Sequence, residues 1–228
     1  MNLNVKYFDN KIVFNKEFIN VLEIENKKYF YRFIKDLYSI ISSNITEDVH
    51  FFENEKEINM SNKLRIYVDF FDFQFDSKKY VNDISKYVST NISEDDKNSL
   101  VTLYSKMVKQ YSKILNDVEM PLKIESEFSV DNLNKLMKIS VDTKEDLLDN
   151  LLLLIDLEKA LKLNNLLVFV NLKQYLSKNE LSELYKYAIY NEVNIFLVDS
   201  QSYGVCLKYE KKHIIDENLD EFMLLHSK

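Results

Sequence analysis

Two carboxylates stand where α/β proteins do chemistry. Asp69 and Asp199 lie at the carboxyl ends of two short β-rich runs, as does Asn171. Ligands of open α/β sheets sit outside such ends, and two carboxylates there could hold a divalent metal that activates water for hydrolysis. No Lys or His accompanies them at a diagnostic spacing, so polar strand termini at a surface are the plainer account. Glu119, Glu125 and Glu127 flank Pro121, with Asp117 and Asp131 nearby. Hard carboxylate oxygens on loops around a helix end suit calcium, but the spacing is not that of an EF-hand and solvated charge explains it more simply. The lysines fall into sets. Lys106, Lys109 and Lys113 share one helical face, Lys27 and Lys28 cluster with Arg32 and Lys35, and Lys159 and Lys162 end a Leu-rich helix. Each reads as a solvated face unless an assembly aims several at one axis, which would make a phosphate-binding surface. His50, His213 and His226 are scattered, and no Ser/His/Asp or Cys/His motif is present.

Composition narrows the chemistry further. Gly204 is the only glycine. A phosphate cradle needs several, so that backbone N–H groups can approach the anion. A Rossmann site or Walker loop in its usual form is excluded, and no nucleotide cofactor is expected. Net charge is −7, from 30 Lys and Arg against 37 Asp and Glu. A nucleic-acid binder is usually basic, so DNA binding here requires lysines concentrated on one surface. The skew towards Asn, Lys, Ile, Tyr and Phe matches AT-rich codons and weakens any argument from lysine abundance. Cys206 is the single cysteine, which excludes an internal disulfide and reads as a buried small hydrophobe. The apolar stretch 147–155 is interrupted by Asp149 and Asn150 and is too short to span a bilayer. With no secretion signal at the N-terminus, these features predict a cytoplasmic protein that binds no membrane.

The elements that must place these groups centre on 166–200. Leu166 to Asn171 is an apolar run of the kind found in strands buried on both faces. Ser177 followed by Glu180 is a capping box. Leu181, Leu184, Tyr185, Ala188 and Ile189 recur at helical spacing, and Val193 to Asp199 is a second β-rich run. The pattern predicts a βαβ unit with parallel strands and a right-handed crossover. Upstream, strands near 3–7, 12–14, 21–24, 49–52 and 64–70 surround a helix over 27–42. The stretch from 77 to 163 is helical. Ser93, with Asp96 three residues on, opens a helix whose Leu100, Tyr104, Met107, Tyr111, Ile114 and Val118 form a heptad seam. Pro121 ends it, a shorter helix covers 129–137, and 146–161 is a helix rich enough in Leu to be covered on several sides. Residues 209–215 read as a last edge strand, with a short terminal segment at 219–225. The fold class is α/β, with a discontinuous α/β head domain over 1–76 and 163–228 and an inserted helical leg domain over 77–162.

Several of these stretches carry a resemblance. Leu166-Leu167-Val168-Phe169-Val170-Asn171, Leu176-Ser177-Lys178-Asn179-Glu180-Leu181, Ile195-Phe196-Leu197-Val198-Asp199 and His213-Ile214-Ile215-Asp216 resemble the C-terminal half of the small Csn-two proteins. These are accessory adaptation proteins of type II-A CRISPR–Cas systems. Met1 to Val5 and Val49 to Phe52 fit as well. The resemblance implies a head distantly like a P-loop ATPase but lacking the phosphate loop, and a helical leg. It implies a homotetrameric ring that encircles double-stranded DNA at free ends, with calcium near the head–leg hinge supporting the ring. It further implies a part in spacer acquisition beside other CRISPR adaptation proteins, and no catalysis. Two departures stand out. The family often carries lysines just before the Leu166 strand, where this chain has Leu163-Asn164-Asn165 and keeps Lys159 and Lys162. Its hinge is also less acidic, interrupted by Pro121-Leu122-Lys123, so that only Glu119, Glu125 and Glu127 can be placed on the calcium site.

Three function classes follow. The preferred one is a non-catalytic ring that binds DNA ends without sequence preference. The second is a metal-dependent nuclease or phosphohydrolase using Asp69 and Asp199, marked by metal-dependent cleavage. The third is a structural module whose heptad seam mediates oligomerisation, marked by failure to bind linear duplex at low salt.

Overall fold

The computed structural model describes residues 1–228 apart from 7, 45, 72–77, 117–121, 123, 125, 126, 138, 140 and 226–228. The chain divides into two compact units, Met1–Phe73 with Lys144–Lys228, and Gln74–Thr143. The first contains β1 (Asn2–Val5), β2 (Ile12–Val13), β3 (Ile19–Ile24), α1 (Lys27–Ile41), β4 (Val49–Glu53), β5 (Lys56–Glu57) and β6 (Leu64–Tyr67). The second contains α2 (Lys78–Asn91), α3 (Glu94–Asn116) and α4 (Val130–Met137). The chain then completes the first unit with α5 (Leu147–Ala160), β7 (Leu166–Val170), a 3₁₀ turn (Leu172–Gln174), α6 (Lys178–Tyr190), β8 (Asn194–Asp199), β9 (Glu210–Ile215) and β10 (Glu221–Leu225).

The expected βαβ unit is present. β7 and β8 pair in parallel, with Leu166 opposite Asn194 and Val170 opposite Val198. The capping box forms as read: the Glu180 N–H donates to Ser177 Oγ at 3.3 Å, and Glu180 Oε2 accepts from the Ser177 N–H at 2.7 Å. The unit sits inside a six-stranded sheet of order β10-β9-β3-β8-β7-β6. β6, β7, β8, β3 and β9 are mutually parallel, and β10 joins antiparallel at one edge. A smaller sheet, β2-β1-β4-β5, is antiparallel.

Side-chain alternation sends the large sheet into two cores. Leu22, Ile24, Val168, Val170, Phe196, Val198 and Ile215 pack with the small sheet and with Tyr29, Phe33 and Leu37 of α1. Val21, Leu167, Phe169, Ile195 and Leu197 alternate with them and are also buried. They point to the opposite face, which carries α5 and α6, in contact with each other. Both faces being covered is the reason β7 and β8 are continuous apolar runs.

Two sequence expectations change. The sequence pattern puts the Leu-rich helix in the helical insert that ends at 162. Instead α5 belongs to the α/β unit, with Leu151, Leu154 and Ile155 fully buried. Coverage by a helix bundle and coverage by a sheet ask for the same Leu pattern. Residues 209–215 are not the edge strand: β9 is interior, between β3 and β10, and β10 takes the edge. Its polar residues Glu210 and Lys212 look like an edge pattern but are buried among partner charges, described below.

In the second unit, Ser93 caps α3 as expected, accepting from the Asp96 N–H at 3.1 Å. Ser89 Oγ of α2 donates to Asp131 Oδ1 of α4 at 2.7 Å, and Asn134 Nδ2 donates to the Ser85 carbonyl at 3.3 Å. Among the described residues the heptad seam is largely open, with Leu100 and Tyr104 half-buried and the Tyr104 ring 5.6 Å from that of Phe128. No described residue of α3 is buried, and its Met107, Tyr111 and Ile114 are exposed. Val118 and Pro121 lie outside the described residues.

Candidate functional site

The carboxyl ends of β3, β7 and β8 converge on one buried cluster of charge. β3 ends Val-Leu-Glu-Ile, and alternation turns Glu23 to the α6 face, where it is fully buried. Asp199, the last residue of β8, lies beside it in register. Asn171 after β7 adopts the left-handed conformation (φ 58°) and starts the 3₁₀ turn that delivers Lys173. Lys173 Nζ contacts Glu23 Oε1 at 3.2 Å and Glu210 Oε1 at 2.8 Å. Lys212 Nζ, from β9, contacts Glu23 Oε1 at 2.8 Å. Tyr185 of α6 donates its hydroxyl to Glu210 Oε1 at 2.9 Å. Burial pushes the Tyr185 hydroxyl well above its usual pKa, with Glu210 adding to it. For Lys173, burial lowers the pKa, but the Glu210 and Glu23 carboxylates outweigh it and hold the ammonium above its usual value. Two ammonium groups thus face Glu23 and Glu210, and buried ions this well paired are held in fixed geometry.

Asp199 is the odd group. It is fully buried, and the Lys173 backbone N–H, at the margin of hydrogen-bonding geometry, is the one donor directed at its carboxylate among the described residues. Burial pushes its pKa up to about 7; the Lys173 ammonium opposes the shift and Glu23 adds to it. Asp69 is exposed, two strands away beyond β6, with its Oδ1 accepting from the Phe71 N–H at 3.0 Å. The two carboxylates read as a hydrolase pair therefore do not form one ligand set. Among the described residues, no three His, Cys, Asp or Glu side chains gather as metal ligands. Asn171 has a structural role: its Oδ1 accepts from the Ser200 N–H at 2.8 Å and clasps the ends of β7 and β8 together.

The lysine sets lie apart. Lys27 and Lys28 are exposed in the first turn of α1, at the carboxyl end of the sheet. Lys159 and Lys162 are exposed where α5 gives way to the amino end of β7, the opposite end. Lys159 Nζ donates to Asn191 Oδ1 at 2.9 Å and sits 5.5 Å from the centre of the Tyr190 ring. With Lys16, Lys162, Glu158 and Glu192 it lines a depression of about 560 Å³. Lys16 is paired with Glu192. Three lysines against two glutamates leave this shelf only slightly positive. Lys106, Lys109 and Lys113 are exposed on α3 in the other unit. Glu127 is exposed, while Glu119 and Glu125 lie outside the described residues. His213 is buried, which lowers its pKa, and His50 is paired with Glu57 at 2.8 Å, which raises its own.

Sequence reasoning missed Glu23, Lys173, Glu210 and Lys212. The available signal was Glu23 itself, a charge at an inward position of an otherwise apolar strand.

The turn from β3 into α1 is two residues, Glu25 and Asn26. Asn26 fills it with its own side chain, accepting from the Tyr29 N–H at 3.0 Å. A Walker loop puts eight motif residues between strand and helix, and this turn is far shorter.

The fold and these sites can be set beside known proteins. A family model described as CRISPR-associated protein (Cas_Csn2) matches residues 42–219. The crystal structure of Stu0660 of Streptococcus thermophilus superposes with a TM-score of 0.65 at 13% identity, covering 99% of this chain and 76% of that one. At that identity the likeness is one of fold. A nucleotide-free ATP-binding cassette from an ABC transporter has a TM-score of 0.46 at 14% identity, covering 98% of this chain and 92% of that one, and is too distant to carry an argument. No curated protein sequence matches. Among the described residues no helix is long and apolar enough to cross a membrane. The family match spans most of the chain, including the βαβ unit and the Lys173, Asp199, Glu210 and Lys212 members of the buried cluster, and the chain belongs to the Cas_Csn2 family of CRISPR-associated proteins.

Proposed function

We propose that this chain is a non-catalytic protein of CRISPR adaptation. Four copies form a ring around double-stranded DNA at free ends and grip it without regard to sequence, beside other adaptation proteins. The observation that carries this reading is the family match over 42–219. The surface agrees with it. The Lys27 and Lys159 sets sit at opposite ends of one sheet, the Lys106 set lies on α3 in the other unit, and the Lys159 shelf is nearly balanced by Glu158 and Glu192. One copy of a chain with net charge −7 repels DNA overall, whereas a closed ring repeats each small lysine set around one axis. Leu103, Met107, Tyr111 and Ile114 stay exposed along α3, an apolar stripe of the kind that self-association covers. The short β3–α1 turn supports a protein that works without nucleotide.

The deciding experiment compares linear with closed circular duplex of the same sequence at low salt. Linear DNA is expected to be retained in a gel-shift and sealed circles to run free. Equal retention of both rules out threading onto an end, and failure to retain either rules out the DNA-binding reading.

Calcium belongs to the same proposal. Glu119, Glu125 and Glu127 are its candidate ligands, and a cation that binds only the folded form stabilises it by mass action. Millimolar calcium is expected to raise the melting temperature, and Glu125→Gln with Glu127→Gln to shrink that rise. An unchanged melting curve removes the metal while leaving the ring.

A further inference from the structure

The chain between β8 and β9, residues 200–209, is held along its middle by the buried charge cluster, and at its far end the Tyr209 carbonyl accepts from the Ile19 N–H at 2.8 Å. The Tyr203 N–H and Ser202 Oγ both donate to Glu23 Oε2, at 3.2 and 3.0 Å. The Leu207 N–H donates to Glu210 Oε2 at 2.8 Å. The Val205 carbonyl accepts from Lys212 Nζ at 3.0 Å. Asn171 holds Ser200, as described. The closed position of this loop therefore depends on Glu23, Glu210 and Lys212 staying where their ion pairs put them.

Asp199 lies beneath these contacts. The charged and titratable groups around it are Glu23 of β3, Lys173 of the 3₁₀ turn, Glu210 and Lys212 of β9, Tyr185 of α6, and Tyr203 of the loop. Lys173 and Lys212 balance Glu23 and Glu210. A proton on Asp199 keeps the cluster neutral, and its loss leaves one uncompensated negative charge in a buried site, faced by a single marginal donor, the Lys173 backbone N–H.

We propose that Asp199 is the catch of a proton-operated latch: protonated, it lets the Glu23–Lys173–Lys212–Glu210 network hold the 200–209 loop shut, and ionised, it favours hydration of the strand ends and release of the loop. This device is independent of the DNA-binding reading and would survive its failure.

The sign follows from the environment. In the closed state Asp199 holds its proton up to about pH 7, chiefly because burial disfavours the carboxylate. Hydrated in an open loop it returns to the ordinary carboxylate value near 4. The closed state therefore binds the proton more tightly. Its advantage is complete at acid pH and is lost as pH rises towards the closed-state value of about 7.

The loop carries its own reporter, since Cys206 is the single cysteine and is half-buried. Alkylation of Cys206 by iodoacetamide is measured at pH 6 and pH 8 in the parent and in Asp199→Asn, a neutral side chain of the same size. Taking the ratio of the two proteins at each pH cancels the thiol's own titration, which the Asp199 charge does not govern. The ratio of parent to variant is expected to rise about tenfold from pH 6 to pH 8. A ratio that does not change with pH overturns the latch. If Asp199→Asn does not fold, amide exchange at Tyr203 and Leu207 in the parent replaces it. After correction for base-catalysed exchange, these amides must lose protection by a similar factor over the same range, and unchanged protection overturns the proposal.

Discussion

Glu23→Ala is expected to lower the unfolding free energy at pH 7 by roughly 3–5 kcal/mol, the usual cost of removing one partner from a buried ion pair. Glu23 is fully buried and accepts from Lys173, Lys212, Ser202 and the Tyr203 backbone. Its removal takes the carboxylate partner from the buried Lys212 ammonium, leaves Lys173 with Glu210, and frees two donors of the 200–209 loop. A loss of this size is a large part of the total stability of an ordinary domain, about 5–15 kcal/mol. Urea denaturation followed by far-UV circular dichroism measures it. Glu23→Leu combined with Lys212→Met removes a pair rather than a partner, and is expected to recover a substantial share of the loss. A cost below about 1 kcal/mol for Glu23→Ala would place the cluster in the range of exposed ion pairs and show it to be hydrated. Failure of the double replacement to recover any stability would locate Glu23's contribution in the loop contacts instead of the ions.

The second large effect concerns salt. Each neutralised phosphate contributes about 0.9 to the slope of log affinity against log salt concentration. A contact repeated four times around a ring therefore carries a slope of roughly 3 to 4. Lys159→Glu with Lys162→Glu is expected to flatten the slope by at least that amount and to weaken binding of linear duplex at every sequence tested. These two lysines stand on the Lys16 shelf with the exposed Tyr190 ring beside them. Lys106→Glu with Lys109→Glu tests the α3 face separately. Light scattering must give each variant the parent's mass, so that lost binding reports contacts and not assembly. If both intact variants keep the parent's affinity and slope, the DNA-facing surface lies elsewhere, with Lys27 and Lys28 the next set to reverse.

What the sequence made legible was local. The Ser177–Glu180 box, the Ser93 cap and the apolar runs of β7 and β8 involve neighbours three or four positions apart, where backbone and side chain settle the outcome together. The buried cluster was not legible. Lys173 meets Glu23 across 150 positions, and only the strand order brings them together. For the same reason Glu210, Lys211, Lys212 and His213 read as a polar edge strand. Lys212 tolerates the interior because Glu23 is waiting for it. The Leu pattern of α5 reported how thoroughly that helix is covered, but a pattern of burial does not name the surface that does the covering. In the second unit, the heptad spacing of α3 was read as paired, yet Met107, Tyr111 and Ile114 are exposed in the single chain. Spacing records what a helix can bury, and a partner copy satisfies it as well as a neighbouring helix does.

The strand order also sets the sequence of events at the ribosome. β3 and β6 come from the first 73 residues, but β8 and β7 lie between them in the sheet, and both are made only after the 74–143 segment has been synthesised. A nascent chain that has reached residue 143 thus holds two strands of the large sheet, β3 and β6, that are not neighbours in it, and α1 has only half of the surface it is to cover. Pairings this distant along the chain are slow to form, and strands left waiting are prone to wrong partners. The helical insert is complete in one continuous stretch of chain, whereas the α/β unit must wait for its second half to emerge. Its folding is an act of insertion, in which β7 and β8 enter between strands already made.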